Sequence, residues 1–537
     1  MLLPSPLRPH LTTADHRRVW STDMAEPSTR MVDAELLAIL GDQNPWHRTH
    51  RVEPAMAPER ERPLARRLPH LLQSEGQWRH QLVLGPRRTG KTTALYQTVA
   101  HLIDEGIEPR RIWWMRMDHP ELRRATWGDL VRTAMAAGNA SAERPVYVMA
   151  DEVLYADDWD LWLKTFCDER WPVRVAATSS VGISLETGRH RETGTGRWQI
   201  QKLMPCRLSE YLSLLGFERM VAPGETLAET LGSLRPGSEL DGLVPALRDF
   251  LMLVGGLPEL LDEAMSSIVS RPADREEAAA VSDGVFLRSQ KFLREDVIAH
   301  VVNKDIPRLN DVAGARRLES LLYVLAGLCP GILQPTNIGT NLGIAPKTVD
   351  AYVSYLENAF VVFTLPNYSG AESRVQRRGR KLFFVDGAVR NAVLERGLRS
   401  LTDSVERGPL LENMAASALH SLVEHEPGRL HYWRDGKHEV DLVFDDVRAP
   451  LAFEIAASAS HGRAGLIELA KRHPKFAGGC YLVAQDAPIV SPEAASDGVG
   501  MLPFDLFLLA VGAHVDRADA ERVGIGDLGR RGGEGAA

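Results

Sequence analysis

The eight residues Gly85-Pro-Arg-Arg-Thr-Gly90-Lys91-Thr92 restrict what this chain can fold into more than any other stretch. They fit G-x-x-x-x-G-K-[ST], with a short apolar strand pattern before them (Gln81 to Leu84) and a helical pattern after them (Lys91 to about Asp104). Glycines let a backbone wrap closely around a phosphate chain with its N–H groups turned inward, and a following helix adds positive potential at its N-terminus. Gly85, Pro86, Arg87, Arg88, Thr89, Gly90, Lys91, Thr92 and Thr93 therefore form a candidate phosphate cradle. Lys91 would bridge the β- and γ-phosphates, and the Thr92 hydroxyl would ligate Mg2+. ATP and Mg2+ are the expected cofactors.

The surrounding pattern extends this reading. Arg111 to Met117, Pro145 to Ala150 and Val173 to Thr178 read as strands, and Asp157 to about Glu169 as a helix with tryptophans and leucines on one face. Strands alternating with helices point to a parallel α/β sheet. The strand Val146-Tyr-Val-Met-Ala-Asp151-Glu152 ends in two acids. Asp151 at the strand tip suits Mg2+ through water, and Glu152 suits polarisation of an attacking water, so hydrolysis is expected rather than binding alone. Thr178, Ser179 and Ser180 end the neighbouring strand, where a hydroxyl can sense the γ-phosphate or orient the water; a serine-rich loop explains them almost as well. Arg189, Arg191 and Arg197 lie in a Gly- and Thr-rich stretch that could reach a phosphate in cis or across a subunit boundary; Arg197 is the candidate arginine finger among them, although such residues are more often ordinary surface arginines.

Composition narrows the setting. With 537 residues, the chain needs more than one core, and 44% hydrophobic with 25% charged residues is an ordinary globular balance. A net charge of −8 does not advertise nucleic-acid binding, although a local basic patch can still exist. No apolar run approaches the roughly 20 residues of a membrane helix. Cys167, Cys206, Cys329 and Cys480 are scattered without zinc spacing, which fits reduced cysteines in a cytoplasmic protein.

Taken in order, QNPW, LGPRRTGKTTALYQ, LIDEGIEPRRI, MRMDHPEL, VYVMADE, ATSS, LSEYL and GGLPE resemble the AAA-type ATPases of bacteria and archaea known only as ATP-binding proteins. NKDIPRL, TNIGTNLGIAPKTVDAYVSYLENAFVV, KLFFVDGAVRNAVL, GPLLENMAASAL and HEVDLVF continue it, so that the resemblance covers about residues 32 to 510. It implies that Lys91, Thr92, Asp151 and Glu152 are the nucleotide and Mg2+ residues, and that the C-terminal domain is similar to restriction-endonuclease-like folds. The expected fold class is α/β: a P-loop NTPase (AAA-type) parallel sheet with a helical lid, a winged-helix linker and a C-terminal restriction-endonuclease-like α/β domain. The expected divisions are a disordered leader at 1–31, an N-terminal helical segment at 32–75, the ATPase domain at 76–215, the lid at 216–310, the winged helix-turn-helix at 311–375, the C-terminal domain at 376–515 and a disordered tail at 516–537.

The C-terminal half has its own candidates. Gln334 to Glu357 reads as a helix-turn-helix with Lys347, Thr348 and Tyr352 available to a major groove, or equally as a packing module. The basic run Arg374, Arg377, Arg378, Arg380 and Lys381 is the better candidate for DNA phosphates, although charge runs are more often solvated loops. Nuclease chemistry needs carboxylates around a metal and a lysine. Glu412, Glu439, Asp441 and Glu454 supply the acids, but the third strand reads Glu454-Ile455-Ala456 where E-x-K is needed, and no lysine follows until Lys471. The site therefore reads as degenerate. Asp386 reads as a helix cap. ATP hydrolysis is expected to drive either a DNA-associated or regulatory conformational change, or a signalling switch on a protein partner without DNA; no membrane association is expected.

Overall fold

The computed structural model describes residues 34–521 apart from 75–78, 183–195, 218, 236–241, 261–282, 311, 313, 371–378, 402 and 424–427. Arg189, Arg191, Arg374, Arg377 and Arg378, together with the leader at 1–31, lie outside the described residues. Near the N-terminus the helices Ala34–Gln43 and Pro63–Gln73 precede the first strand. Pro63 stands at the first helical position, where its fixed φ suits the turn and its missing N–H costs nothing.

A parallel five-stranded sheet follows. Its strands are β1 (His80–Leu84), β2 (Ile112–Arg116), β3 (Val146–Asp151), β4 (Val173–Ser179) and β5 (Trp198–Lys202), in the order β2-β3-β4-β1-β5. β1 and β3 are buried along their whole length, as expected of apolar strands covered on both faces. One face carries Leu82, Val148 and Trp127, the other Val83, Leu95 and Trp114. Because β1 and β3 run parallel on either side of β4, the phosphate loop after Leu84 and the acids ending β3 emerge at the same sheet edge.

β6 (Gly331–Ile332), β7 (Val362–Pro366) and β8 (Arg380–Phe384) form a three-stranded sheet in the order β6-β8-β7, beside the helices Pro335–Leu342 and Pro346–Asn358. β8 pairs with β7 rather than with the C-terminal sheet, so this small sheet runs on to Phe384, beyond the expected boundary at 375. That last sheet holds β9 (Gly428–Asp435), β10 (His438–Asp446), β11 (Leu451–Ala456), β12 (Cys480–Ala484) and β13 (Gly500–Pro503), in the order β13-β12-β11-β10-β9. It is mixed: β9 to β11 are antiparallel, and β11 to β13 parallel.

The C-terminal boundary also differs from the sequence reading. Residues 516–521 are helical, not a disordered tail, because the helix Phe504–Glu521 runs on and Arg207 holds Asp516 at 2.7 Å. The helices Leu243–Val254 and Ala315–Leu328, the small sheet and the C-terminal sheet also share one apolar core, which includes Phe250, Leu325, Phe383, Leu419, Phe453 and Phe507. No helix among the described residues is long and apolar enough to cross a membrane.

Candidate functional site

The phosphate loop owes its path to two glycines. Gly85 passes so close to Leu203 that a Cβ there would lie 2.1 Å from its carbonyl oxygen. Gly90 caps the helix Lys91–Asp104 at φ 87°, in the left-handed region that glycine tolerates. The side chain of Lys91 is buried and donates to the carbonyls of Gly85 (2.9 Å) and Pro86 (2.6 Å). Burial pushes its ammonium down to about 8, while Glu152 and Asp151 pull the other way.

Across the sheet edge the acids are in place. Thr92 Oγ1 lies 3.1 Å from Asp151 Oδ1, and Thr178 Oγ1 donates to the same oxygen at 2.6 Å. Burial raises the Asp151 carboxyl, against the two threonine hydroxyls and Lys91. Glu152 follows at φ 54°, a left-handed conformation that costs a non-glycine residue about 1–3 kcal/mol and that concentrates at functional sites. Its carboxyl is likewise raised by burial and accepts from Ser180 Oγ at 3.2 Å. Thr178 also accepts the Glu152 N–H at 2.9 Å. It therefore braces the carboxylate of Asp151 and the backbone of Glu152 together.

A cavity of about 630 Å³ opens on Lys91, Thr92, Thr93, Glu152, Arg87 and Gln97. Its donors suit a polyphosphate with a divalent cation: one buried ammonium, loop N–H groups at a helix start, and a hydroxyl–carboxylate pair. Thr92 and Asp151 are the residues that could hold the cation.

Arg197 is a correction. It precedes β5, and His80 N donates to its carbonyl at 3.2 Å, which puts it at the N-terminal edge of the sheet. A five-residue strand, roughly 16 Å long, separates that edge from the phosphate loop. There the Arg197 guanidinium pairs with Asp168 at 2.7 Å, so no finger acts in cis from this position.

Arg62 was missed by the sequence reading. It lies in the charged Pro-containing stretch before the sheet, yet its side chain is buried against the loop. It donates to Thr89 O at 2.7 Å, Met204 O at 2.8 Å and Glu210 Oε1 at 2.7 Å. Only tertiary contact distinguishes it from its exposed neighbours.

In the C-terminal half Lys381 overturns two expectations. It is no DNA contact: its side chain is 4% exposed, and its ammonium lies 2.7 Å from Glu412, 2.9 Å from Glu439 and 3.0 Å from Asp441. Burial opposes that charge, but Asp441, Glu412 and Glu439 outweigh it and hold the lysine protonated. The positive charge missing at Ala456 is thus supplied from β8, a strand of the other sheet. Glu454 stands beside the cluster, its carboxyl pushed up by burial and by Asp441, with His461 Nε2 at 3.3 Å. Arg380 is engaged as well, with Asp350 at 2.8 Å. Tyr352 is buried and faces no groove, whereas Lys347 is exposed and Thr348 half-buried. Asp386 caps the helix Gly387–Leu394, accepting from Ala388 N at 2.9 Å.

Residues 77–212 match the family model described as AAA domain. Residues 279–400 and 407–496 match two domains of unknown function, DUF8612 and DUF4143. The chain thus carries an AAA-type P-loop module followed by two such domains. It is similar to an uncharacterised protein of Haemophilus influenzae, at 20% identity over 328 residues, 59% of this chain and 70% of that one. Among solved structures it is similar to the Thermotoga maritima RuvB Holliday junction branch migration motor, with 15% identity, 56% of this chain and 87% of that chain covered, and a TM-score of 0.24. A second is the Aeropyrum pernix ORC1 protein in complex with DNA, with 14% identity, 63% and 92% covered, and a TM-score of 0.27. AMPPCP-bound DnaA from Aquifex aeolicus gives 12% identity, 52% and 81% covered, and a TM-score of 0.23. At these TM-scores the likeness decides nothing about activity.

Proposed function

We propose that this chain hydrolyses ATP with Mg2+, and that the cycle drives a regulatory conformational change in its C-terminal half. The observation that carries the reading is the network of Thr92, Asp151 and Thr178 beside Lys91 and Glu152 at one edge of a parallel sheet. Lys91 and the loop N–H groups hold the phosphates, and Thr92 and Asp151 hold the cation. The bound Mg2+ neutralises charge that develops on the transferred phosphoryl group. Glu152, raised by burial and oriented by Ser180, takes the proton of the attacking water.

The restriction-endonuclease-like C-terminal domain is, in this reading, inactive in cleavage. The Lys381 ammonium sits among the carboxylates that a catalytic metal would need. Four free cysteines fit a cytoplasmic protein. One feature favours a DNA partner: Lys347 is exposed, with Thr348 half-buried beside it, at the start of the second helix of the helix-turn-helix. With Arg380 and Lys381 engaged in ion pairs, a protein partner is the other reading.

Steady-state ATPase assays with and without DNA test these points together. Lys91→Ala should abolish nucleotide binding, and Glu152→Gln should bind ATP but turn over about 10²- to 10⁴-fold more slowly. Turnover of Glu152→Gln at the wild-type rate would remove that residue from the chemistry. Stimulation by DNA selects the nucleic-acid reading, indifference the protein partner; Mg2+-dependent cutting of the DNA would overturn the inactive assignment.

A further inference from the structure

The phosphate loop carries two arginines that its general pattern does not require, and both reach a segment outside the nucleotide sheet. Arg87 forms a bidentate pair with Asp305, Nε to Oδ2 and Nη2 to Oδ1 each at 2.6 Å, with side chains 23% and 5% exposed. Arg88 lies 3.3 Å from Glu259 and 3.6 Å from Asp296, and its guanidinium is 5.2 Å from the Phe292 ring centre. Asp305 ends a π-helical turn, Val301–Asp305, a kind of turn that is rare and concentrated at functional sites. Three residues on, the Arg308 guanidinium sits 3.4 Å over the Tyr155 ring, in the short turn Val153–Tyr155 that follows Glu152. One segment, Phe292 to Arg308, therefore touches both the phosphate loop and the turn behind the water-activating acid.

The Arg87 pair is the discriminating contact. Arg88 and its acids are all more than two-fifths exposed, where an ion pair is worth little. Arg87 lines the same cavity as Lys91 and Glu152, and a guanidinium fork fits a carboxylate and a phosphate with equal geometry. Asp305 thus gives Arg87 what a phosphate oxygen would give it. A buried carboxylate is also repelled by a polyphosphate placed beside it.

Resting on the ATP site assigned above, we propose that Arg87 is a binding residue for the terminal phosphate which Asp305 holds in reserve, so that a triphosphate and the segment Phe292–Arg308 compete for one guanidinium. A diphosphate lacks the terminal group and leaves the pair intact. Competition is reciprocal: triphosphate loosens the segment by the same factor by which the docked segment weakens triphosphate. Nucleotide state then passes directly from the phosphate loop to the C-terminal half.

Hydrogen exchange on the full chain, with no nucleotide, with Mg2+–ADP and with Mg2+–AMPPCP, reads this directly. AMPPCP should speed exchange across 292–309, and ADP should not. Asp305→Asn should bind AMPPCP roughly tenfold more tightly with ADP affinity unchanged, and its segment should exchange fast without nucleotide. Arg87→Gln should lose the preference for triphosphate over diphosphate. The proposal is overturned if AMPPCP binds the wild type and leaves the segment's exchange unchanged, or if Asp305→Asn binds it no more tightly. Should Asp305→Asn fail to fold, the wild-type exchange comparison decides alone. If the wild type binds no better than Lys91→Ala, the ATP reading itself fails, and this one with it.

Discussion

The Lys91 ammonium is buried at the edge of the sheet, where it donates to the carbonyls of Gly85 and Pro86 and feels the charges of Asp151 and Glu152. Spacing and the flanking strand pattern made these three residues candidates for phosphate chemistry but carried nothing of their electrostatic state. Burial lowers the Lys91 ammonium to about 8 from 10.5. Between those values the folded chain has lost a proton that the unfolded chain keeps, so the contribution of Lys91 to stability rises with pH across that window. Bound phosphates restore the charged form. Nucleotide binding at pH 9 should accordingly take up close to one proton, fading below about pH 7, and affinity should fall as pH climbs past 8. Calorimetry in two buffers of different ionisation enthalpy measures the uptake; equal heats at pH 9 would mean that Lys91 is already charged in the free site.

At the scale of elements, β1 to β4 were legible and β5, at one edge of the sheet, was not. β1, β3 and β4 are nearly continuous apolar runs. β5, with the sequence WQIQK, has no such run and is held by its parallel pairing to β1. That pairing also brings Leu203 against Gly85. Gly85→Ala should therefore displace the edge strand or the loop, costing about 1–3 kcal/mol and weakening nucleotide binding. Gly41 has open space around it in the helix Ala34–Gln43, and Gly41→Ala should instead stabilise by about 0.5–1 kcal/mol. Denaturant melts of the two variants give the comparison, and equal stabilities would show that the loop tolerates a Cβ. Arg197 failed at this scale too: nearness in sequence to the strand tips says nothing of which sheet edge a residue occupies.

For the whole molecule, the decisive residue is Lys381. It stood in a basic run and read as a phosphate contact, but β8 turns it inward onto Glu412, Glu439 and Asp441. It joins the small three-stranded sheet to the helix Ser404–Val423 and to β10, which helps explain why the two share a core. Lys381→Met should destabilise by about 3–5 kcal/mol, because removal of one partner leaves buried carboxylates uncompensated. Adding Glu412→Gln should recover part of that loss. Unfolding of Lys381→Met at the wild-type midpoint would mean that the carboxylates find protons or water instead.

By itself the sequence determined β1 to β4 of the parallel sheet, the phosphate-loop pattern and the candidate acids beside it, since that pattern depends on residue types at short, fixed spacings that local structure preserves. Tertiary structure alone decided what the cations outside that pattern's lysine do. Arg62 braces the loop, Arg87 is held by Asp305, Arg197 lies at the far sheet edge, and Lys381 is sealed among carboxylates. A long cationic side chain takes its role from the acid it meets, and the acid that each of these meets lies 29 to 218 positions away, or for Arg62 148. Pattern along the chain is blind to such partners; packing selects them.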